Sequence, residues 1–458
     1  MWTLKEITKI LQGKAFHIKN PDISIEKIST DTRKISQHAA FIALKGENFD
    51  GHNFAKKAIA DGAVVCIVEK KINEPCIVVA STLKALGVLA KYWRRRFDIP
   101  VIAVTGSNGK TSTKEWIFHV LSQKYNVLKT KGNFNNFVGL PLTLLKLDHH
   151  HEMCVVELGT NAPGEIKYLA NIARPNIAII TNIGRAHLEG LHSLEDIAYE
   201  KVSLFHETLS YKGRCIINLD DPFLSSWHEK NKKNNLTISI INNKATFFAS
   251  HIEEKEIGHI NFDLFESGKN VGKFTLSLAG EHHIYPALFS IAIASHLKVD
   301  KKNIQKALSE LKPYPGRFEV QPIGPHYIVD DTYNANPESM KVALLYLKKM
   351  KAQHNLKTVA ILGDMLELGP QSKTYHEELG TLVGEALIDE LYAIGLFSKF
   401  TVQIAQAPFK KHHSQHIDII KDLMKRLDQP TLILVKGSRG MKMEQVVTNL
   451  KQQFKNVE

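Results

Sequence analysis

The 458-residue sequence has few cysteines and no long apolar run. No apolar stretch reaches the roughly 18 residues that a membrane-spanning helix needs, so stable membrane insertion is not expected. The start, Met1-Trp-Thr-Leu-Lys-Glu-Ile, lacks the basic and then apolar build of a signal peptide, which predicts a cytoplasmic protein. The four cysteines, Cys66, Cys76, Cys154 and Cys215, are scattered without metal-type pairs. Three of them lie in strand-like apolar runs, and we expect these to be reduced core residues.

The net charge of +12 is the kind of excess that nucleic-acid-binding proteins carry. The basic residues are dispersed, however, and the densest run is Trp93-Arg-Arg-Arg96, so nucleic acid is not predicted as a partner. A basic cleft for a phosphorylated, carboxylate-bearing small substrate explains the charge equally well. The length requires two to four domains.

Apolar strands alternate with helical stretches along the chain, which predicts an α/β fold with mainly parallel sheets. Three domains are expected: a small α/β domain over 1–82, a central phosphate-loop domain over 83–312 and a Rossmann-like, doubly wound domain over 313–458. Pro313-Tyr-Pro-Gly316 is predicted to be the linker between the second and third domains. Central strands are predicted at 101–104, 153–157, 177–181 and 215–218, with an antiparallel edge near 236–280. Strands of the last domain are predicted at 327–329, 358–362, 390–394 and 431–435.

The most specific motif is a glycine-rich loop between the strand 101–104 and a helix predicted over 111–121. Glycines let the backbone turn close to a ligand, and the free N–H groups at a helix start form an anion site. Lys110 would supply charge to phosphate oxygens, and the Thr111 hydroxyl is placed to hold a phosphate-bound magnesium ion. An ordinary βα turn is the alternative, but Gly-Lys-Thr after an apolar strand favours a nucleoside triphosphate site. Its members are Gly106, Ser107, Asn108, Gly109, Lys110, Thr111 and Ser112.

This loop is shorter than the common Gly-x-x-x-x-Gly-Lys-Ser/Thr form, because Val104 stands where the first glycine is expected. The form Thr-Gly-x-Asn-Gly-Lys-Thr resembles the ATP-dependent Mur ligase superfamily, which includes folylpolyglutamate synthases. Further segments that resemble this family follow in order over nearly the whole chain. They include Ser29-Thr-Asp-Thr-Arg33, Gly132-Asn-Phe-Asn-Asn-Phe137, Glu157-Leu-Gly-Thr-Asn161, Gly184-Arg-Ala-His-Leu-Glu-Gly190, Tyr314-Pro-Gly-Arg-Phe-Glu319, Asp330-Asp-Thr-Tyr-Asn-Ala-Asn336, Ile361-Leu-Gly-Asp-Met-Leu-Glu-Leu-Gly369 and Val435-Lys-Gly-Ser-Arg-Gly-Met441.

A magnesium site is expected where the central parallel strands end. Glu157 ends one strand and could bind the hard cation, although a salt bridge is an equal alternative for this residue alone. His187 follows a neighbouring strand, where a lone histidine is more often structural. Lys201 would be taken for a surface lysine from the residues alone. The family resemblance implies instead that CO₂ carbamylates Lys201, and that Thr111, Glu157, His187 and Lys201 hold Mg²⁺.

The resemblance also implies the reaction and the partners. The segments from 330 onwards are most similar to the branch that joins D-Ala-D-Ala to UDP-MurNAc-tripeptide, with ATP and through an acyl phosphate, in peptidoglycan precursor synthesis. A monomer is implied, because the active site of the family lies within one chain. Lys110, His187, Lys201 and Arg317 are the expected catalytic residues, with His283, Arg317 and Asp331 on ATP. The UDP-linked substrate is assigned to Ser29, Thr30, Asp31, Arg33, Asn135 and Asn136, and the remaining substrate contacts to Asn334, Asn336, Lys436, Ser438 and Arg439.

One segment of the chain departs from the family pattern. The family usually has Gly-x-His-Asn-x-x-Asn around the adenine, whereas this chain has Gly280-Glu-His-His-Ile-Tyr-Pro286, so His283 and Pro286 replace both asparagines. A histidine can still stack on a purine, but proline offers no donor.

The other candidate functions are the tripeptide-forming sister ligase, a folylpolyglutamate-type ligase and a non-catalytic nucleotide-binding module of a cell-wall assembly. Because Arg317 and Lys110 lie on opposite sides of the linker, ATP binding is expected to need closure of the last domain over the central one.

Overall fold

The computed structural model describes residues 2–455, which form two compact units. The first unit contains the chain up to Ala103 together with Tyr125–Gly159 and Ile166–Asn176. The second contains Val104–Lys124, Thr160–Glu165 and the chain from Ile177 onwards. The predicted α/β class is confirmed, since helices alternate with strands of mainly parallel sheets. The predicted domain boundaries after residues 82 and 312 stay predictions.

The first hundred residues form a mixed sheet with helices. The elements are β1 (Trp2–Thr3), α1 (Leu4–Leu11), β2 (Lys14–Phe16), β3 (Ser24–Ile25), β4 (Lys27–Ser29), β5 (Ala39–Ile42), α2 (Ala55–Ala60), β6 (Ala63–Val68), β7 (Cys76–Val78) and α3 (Thr82–Arg94). The strand order is β2-β7-β6-β5-β4, with β2 antiparallel to β7 and the other pairs parallel. Helix α1 begins with a capping box, in which Thr3 accepts from the Glu6 amide and Glu6 accepts from the Thr3 amide.

The middle of the chain carries the phosphate loop. Its elements are β8 (Val101–Thr105), α4 (Lys110–Leu121), β9 (Val127–Lys129), α5 (Gly139–Leu144), β10 (Met153–Glu157), α6 (Glu165–Ala173), β11 (Ile177–Ile180), α7 (Leu188–Leu191), α8 (Leu194–Ser210), β12 (Arg214–Asn218), α9 (Pro222–Lys230), β13 (Leu236–Ser239), β14 (Phe247–Glu256), β15 (His259–Glu266), β16 (Lys269–Leu276), α10 (Ile284–His296) and α11 (Lys301–Ser309). In the first unit β9 and β10 are parallel. In the second, β11 to β14 are parallel neighbours and β14, β15 and β16 form an antiparallel meander. The antiparallel edge therefore starts at β14, because β13 still pairs in parallel with both neighbours.

The end of β8 lies beside the end of β11, because the Thr181 amide donates to the Thr105 carbonyl at 2.9 Å. Both strands are fully buried and apolar, as parallel strands covered by helices on two faces must be. This neighbouring pair positions the loop after β8 against the loop after β11.

The last third of the chain is a six-stranded sheet with helices. Its elements are β17 (Glu319–Ile323), β18 (His326–Asp331), α12 (Pro337–His354), β19 (Lys357–Gly363), α13 (Ser372–Glu385), β20 (Glu390–Ile394), α14 (Ser398–Ile404), β21 (Phe409–His413), α15 (His416–Met424), β22 (Thr431–Lys436) and α16 (Glu444–Lys455). The order is β17-β18-β22-β19-β20-β21, parallel except for β17. The four predicted strands are confirmed as β18, β19, β20 and β22. The two edge strands were not predicted, since β17 contains a proline and β21 reads Phe-Lys-Lys-His-His.

The remaining composition-based expectations concern cysteines, basic residues and membranes. All four cysteines are buried free thiols on strands, whereas core positions were expected for three of them. In the densest basic run, the buried Arg94 guanidinium donates to the carbonyls of Ala173, Phe97 and Ile99, so this arginine supports the first unit rather than forming a binding surface. None of the helices within residues 2–455 has the length and apolar content needed to cross a membrane.

Candidate active site

The glycines of the loop after β8 are required by its backbone. Gly106 has φ +147°, and a Cβ there would lie 1.8 Å from the Thr181 hydroxyl oxygen. Gly109 has φ +76° and is the N-cap of α4. A residue with a Cβ would be strained at both places and would collide at the first. The loop therefore leads directly into the N-terminus of α4, where free backbone N–H groups and the positive end of the helix dipole form an anion site.

The segment after β11 holds this loop in place. The Ser107 hydroxyl donates to the Gly184 carbonyl and accepts from the Gly184 amide, both at 2.8 Å. The Asn108 amide donates to Oδ1 of Asn182 at 2.9 Å, and the Thr181 hydroxyl donates to the Asn108 carbonyl. These reciprocal bonds make the loop a preorganised binding element rather than a mobile turn.

Lys110 and Thr111 present the charge and the hydroxyl that phosphate binding needs. The Lys110 ammonium lies over the loop and donates to the Gly106 carbonyl at 2.7 Å and to the Ser107 carbonyl at 3.2 Å. Thr111 is buried, and its hydroxyl accepts a 3.2 Å hydrogen bond from Nη2 of Arg317. Both groups thus lie at the mouth of the loop, as the motif predicts.

Arg317 and Asn336 bring the last third of the chain to the loop. The Arg317 guanidinium carbon is 3.9 Å from the ring centre of Tyr333, and its Nε is buried without a hydrogen-bond partner among the described residues. Asn336 donates through Nδ2 to Oδ1 of Asn108 at 2.8 Å. Its own Oδ1 caps α12 by accepting from the Ser339 amide. Two side chains from beyond residue 316 therefore contact the phosphate loop within the second unit.

Lys201 lies inside the protein, on α8, with 1% of its surface exposed, which excludes the surface-lysine alternative. Burial, reinforced by the charge of Lys110 and opposed by that of Glu200, holds the pKa of Lys201 well below its ordinary value. The Glu200 carboxylate itself accepts from the Gly164 amide at 2.7 Å. A lowered pKa favours the neutral amine, which is the nucleophilic form that reacts with CO₂.

His187 lies in the loop after β11 and pairs with a carboxylate. Its Nδ1 donates to Oε2 of Glu367 at 2.7 Å. The hydrogen bond from His187, together with the charges of His187 and Lys110, holds the pKa of Glu367 below its usual value against the opposing effect of burial. His187, Lys110 and Glu367 are thus neighbours, although Glu367 was not among the predicted site residues.

Glu157 and the two predicted asparagines belong to the first unit. Asn135 donates through Nδ2 to Oε1 of Glu157 at 2.8 Å, and the Glu157 amide donates to the Thr130 hydroxyl at 3.1 Å. Asn136 uses its Oδ1 to accept from the amides of Val138 and Gly139, which is a local structural role.

The predicted magnesium ligands fit the chemistry of that ion. Within residues 2–455, no group of three or more His, Cys, Asp or Glu side chains could hold a metal by itself. Mg²⁺ in nucleotide sites usually takes one or two protein ligands and completes its shell with phosphates and water. The Thr111 hydroxyl, in the second unit, and the Glu157 carboxylate, in the first, each carry the oxygen donor that Mg²⁺ prefers.

The carboxyl ends of β18 and β22 form a second polar cluster. The buried Lys436 ammonium donates to Asp331 Oδ2 and, at 3.1 Å, to the Asn334 carbonyl. Ser438 accepts from the Leu366 amide at 2.8 Å. Arg439 is exposed and lies 3.5 Å from Glu444. The structure therefore brings Asp331 and Lys436 together.

His283 is buried at the start of α10 rather than exposed to a cleft. Its Nδ1 donates to the Ala279 carbonyl at 2.6 Å, and its ring lies 5.4 Å from that of Trp116. Burial lowers the pKa of His283 to about 4. Pro286 is buried two residues into the same helix.

The residues predicted for the UDP-linked substrate form a turn after β4. The Ser29 hydroxyl donates to the Asp31 carbonyl at 3.0 Å, and Thr30 is half-buried beside it. Arg33 is exposed and donates through two nitrogens to the Asp31 carboxylate, at 2.9 and 3.0 Å. The hydrogen bond from Arg33 lowers the pKa of Asp31 to about 2.

Together, the fold and this site define a nucleotide-binding α/β protein with a short phosphate loop. Three family models match successive parts of the chain: "Mur ligase family, catalytic domain" at residues 24–101, "Mur ligase middle domain" at 104–294 and "Mur ligase, glutamate ligase domain" at 316–439. The chain is 34% identical over 459 residues to the UDP-N-acetylmuramoyl-tripeptide–D-alanyl-D-alanine ligase of Bacillus subtilis, covering 98% of both chains.

Solved structures agree with the sequence comparison. A crystal structure of MurF from Acinetobacter baumannii superimposes with a TM-score of 0.90 at 34% identity, covering 98% of this chain and 99% of that chain. The MurF ligase from Thermotoga maritima in complex with ADP gives 0.85 at 29% identity, covering 95% and 100%. The chain belongs to the Mur ligase family, which confirms the resemblance found in its motifs.

Proposed function

We propose that the protein joins D-alanyl-D-alanine to UDP-MurNAc-tripeptide with the conversion of ATP to ADP and phosphate, forming the UDP-MurNAc-pentapeptide used for peptidoglycan. The Bacillus subtilis relative, 34% identical over nearly its whole length, is named for this reaction, and the Acinetobacter baumannii structure with a TM-score of 0.90 is named MurF. The observation that carries the proposal is the 3.2 Å hydrogen bond between Arg317 and Thr111. It places a cation from the last third of the chain at the phosphate loop, where an ATP-dependent ligase must neutralise charge.

The reaction begins with an encounter of two anions. A carboxylate oxygen of the tripeptide attacks the γ-phosphorus of ATP, the bond to the bridging oxygen breaks and ADP leaves, giving an acyl phosphate. The ammonium of Lys110 and the guanidinium of Arg317 offset the charge that accumulates on the transferred phosphoryl group. The amine of D-Ala-D-Ala then attacks the acyl carbon, phosphate leaves, and the amine gives up a proton to form the amide.

Lys201 would contribute as a carbamate. Its neutral amine adds to CO₂, forming a nitrogen–carbon bond and releasing one proton, so that a buried amine becomes an anionic oxygen ligand. Thr111, Glu157, His187 and carbamylated Lys201 would hold Mg²⁺, which when bound supplies positive charge to the phosphate oxygens. Burial of Lys201 and the depressed pKa of its ammonium support this assignment.

The remaining assignments follow the same division of the chain. We assign binding of the UDP-linked substrate to Ser29, Thr30, Asp31, Arg33, Asn135 and Asn136. Besides the phosphate loop and Arg317, we assign ATP binding to His283 and Asp331. The remaining substrate contacts, on the side of the incoming dipeptide, are assigned to Asn334, Asn336, Lys436, Ser438 and Arg439. Domains over 1–82, 83–312 and 313–458 would bind the UDP substrate, ATP and the dipeptide. We further propose that the protein acts in the cytoplasm as a monomer, without nucleic acid.

Phosphate release tests the function directly. Purified protein is incubated with ATP, Mg²⁺ and UDP-MurNAc-tripeptide, with and without D-Ala-D-Ala. The released phosphate is measured, and the UDP-linked product is identified by mass spectrometry. Release that depends on the dipeptide, with a UDP-linked pentapeptide, is expected. Equal turnover with a single amino acid or with a folate would indicate a sister ligase instead. No turnover with any acceptor, while labelled ATP still binds, would indicate a nucleotide-binding module.

A further inference from the structure

The pair formed by His187 and Glu367 joins two distant parts of the second unit. The His187 Nδ1 and the Glu367 Oε2 lie 2.7 Å apart, the one polar contact of the His187 ring within residues 2–455. Both residues have left-handed backbones, with φ +60° for His187 and +63° for Glu367. Residues with a Cβ rarely adopt this conformation, and where they do, the surrounding structure must hold them there.

The loop that carries Glu367 is anchored immediately before it. The buried Asp364 carboxylate accepts from the amides of Leu396, Phe397 and Ser398 at 2.7 to 3.1 Å. The Met365 amide donates to Nε2 of His376 at 3.1 Å. These anchors hold the chain three and two residues ahead of the left-handed position.

Two further bonds complete the support. The Leu366 amide donates to the Ser438 hydroxyl at 2.8 Å, so three consecutive residues before Glu367 are held. On the other side, the Glu189 amide donates to the Glu367 carbonyl at 3.2 Å, which ties the loop to the segment of His187. These bonds hold the backbone of Glu367 where its carboxylate reaches His187.

We propose that Glu367 is a positioning residue for His187. It fixes the imidazole with the proton on Nδ1 and leaves Nε2 unprotonated, as a residue that would hold Mg²⁺ needs. Carboxylates commonly orient functional histidines through the far ring nitrogen. Because Glu367 lies beyond residue 316, His187 is set only while the 361–369 loop contacts the 184–190 loop. The kinetic part of this inference rests on the proposed function, whereas the structural part does not.

An ordinary surface ion pair explains the arrangement less well. Exposed pairs contribute little to stability and need no special backbone. The neighbouring pair between Arg185 and Glu378 has that character: it is 3.3 Å long, and its carboxylate, on α13, is as exposed as that of Glu367. Glu378 therefore provides a matched control, since its loss removes one similarly exposed carboxylate that pairs with Arg185 of the 184–190 loop, without touching His187.

The tautomer of His187 tests the proposal without any substrate. Solid-state ¹⁵N spectra of histidine-labelled protein would be recorded at a pH where the ring is neutral, with the signal identified by its absence in H187N. Wild type and E378Q should show the Nδ1-protonated form alone. Glu367→Gly, which suits the left-handed backbone, should give a mixture of tautomers without a lower melting temperature. An unchanged single tautomer in E367G would overturn the proposal.

Kinetics provide the second readout. E367G should lower kcat by about tenfold or more, with the KM for D-Ala-D-Ala changed by less than about twofold. E367Q, whose amide oxygen can still accept from Nδ1, should recover most of the loss, and E378Q should match wild type. Equal losses in E367G and E378Q would also contradict the proposal. If wild type itself fails to release phosphate, the proposed function is wrong, and the tautomer result still decides the role of Glu367.

Discussion

The guanidinium of Arg317 donates a 3.2 Å hydrogen bond to the hydroxyl of Thr111, although 206 residues separate the two in the chain. Thr111 belongs to the phosphate loop, whereas Arg317 follows the linker after α11. Tyr333 supports the guanidinium from its face, at 3.9 Å from the ring centre. The phosphate site is therefore completed only when the last third of the chain lies against the loop.

Arg317→Ala should lower kcat by about a hundredfold, because it removes a cation that faces charge developing in the transition state. Arg317→Lys should recover only part of this loss, since an ammonium lacks the planar fork that stacks on Tyr333. Initial rates of phosphate release measure both. Arg95→Ala, at an exposed position, is the control for removal of one positive charge. Wild-type rates in R317A would contradict the assignment of Arg317.

Asn336→Ser should weaken ADP binding by about fivefold, because the phosphate-loop residue Asn108 loses the hydrogen bond that positions it. A serine still caps α12, so the free energy of unfolding should stay within about 0.5 kcal/mol of wild type. Asn336→Ala should lose both contacts and about 1 kcal/mol of stability in addition. Calorimetric binding and urea unfolding separate the two roles. Equal ADP affinity in wild type and N336S would show that the contact with Asn108 is incidental.

Carbamylation of Lys201 should give a ¹³C carbamate signal when the protein is equilibrated with ¹³C-bicarbonate. The signal should be absent in K201A and present in K167A, which removes an exposed lysine. Because the pKa of Lys201 is held below its ordinary value, the signal should appear at a lower pH than for an exposed lysine, and it should grow as the pH rises. A wild-type protein without the signal, yet fully active, would exclude the carbamate.

Buried His283 should make the protein less stable in acid. Its pKa falls from 6.5 to about 4 on folding, so between these values the unfolded chain binds more protons than the folded one. The stabilising contribution is complete above pH 6.5 and is lost as the pH falls towards 4, by about 2 kcal/mol at pH 5. Denaturant unfolding at pH 7 and pH 5 should show a smaller difference for H283N than for wild type. Exposed His150→Asn should behave as wild type, and an identical pH response in H283N would refute the assignment.

Tyr346→Phe should lower the free energy of unfolding by about 1 to 3 kcal/mol. Its hydroxyl donates to the buried Glu254 carboxylate at 3.0 Å, and Glu254 also accepts from the Gly280 amide at 3.0 Å. Without the hydroxyl this buried charge loses one of its donors. Tyr375→Phe is the control, because within residues 2–455 its hydroxyl hydrogen-bonds only to the side chain of Gln371, at an exposed site. Equal stability of Y346F and wild type would show that water replaces the lost donor.

Much of the fold could be predicted because its signals are local. Central parallel strands such as β8 and β19 are continuous apolar runs, and the left-handed positions Gly106 and Gly109 can be recognised from the loop motif. The polar edge strands β17 and β21 carry no such signal and were missed. The parallel pairing of β13 was also not predicted, because pairing direction depends on neighbours far along the chain.

The candidate active site likewise has parts that could be predicted from local sequence and parts that could not. The sequence alone determined the phosphate loop, the identity of its lysine and hydroxyl, and the family to which the chain belongs, since each rests on residues adjacent in the chain. Only the tertiary structure decided that Lys201 is buried, that Arg317 contacts Thr111 and that Glu367 contacts His187. Burial and contacts between distant segments depend on how the whole chain packs, and no local pattern of residue types records that packing.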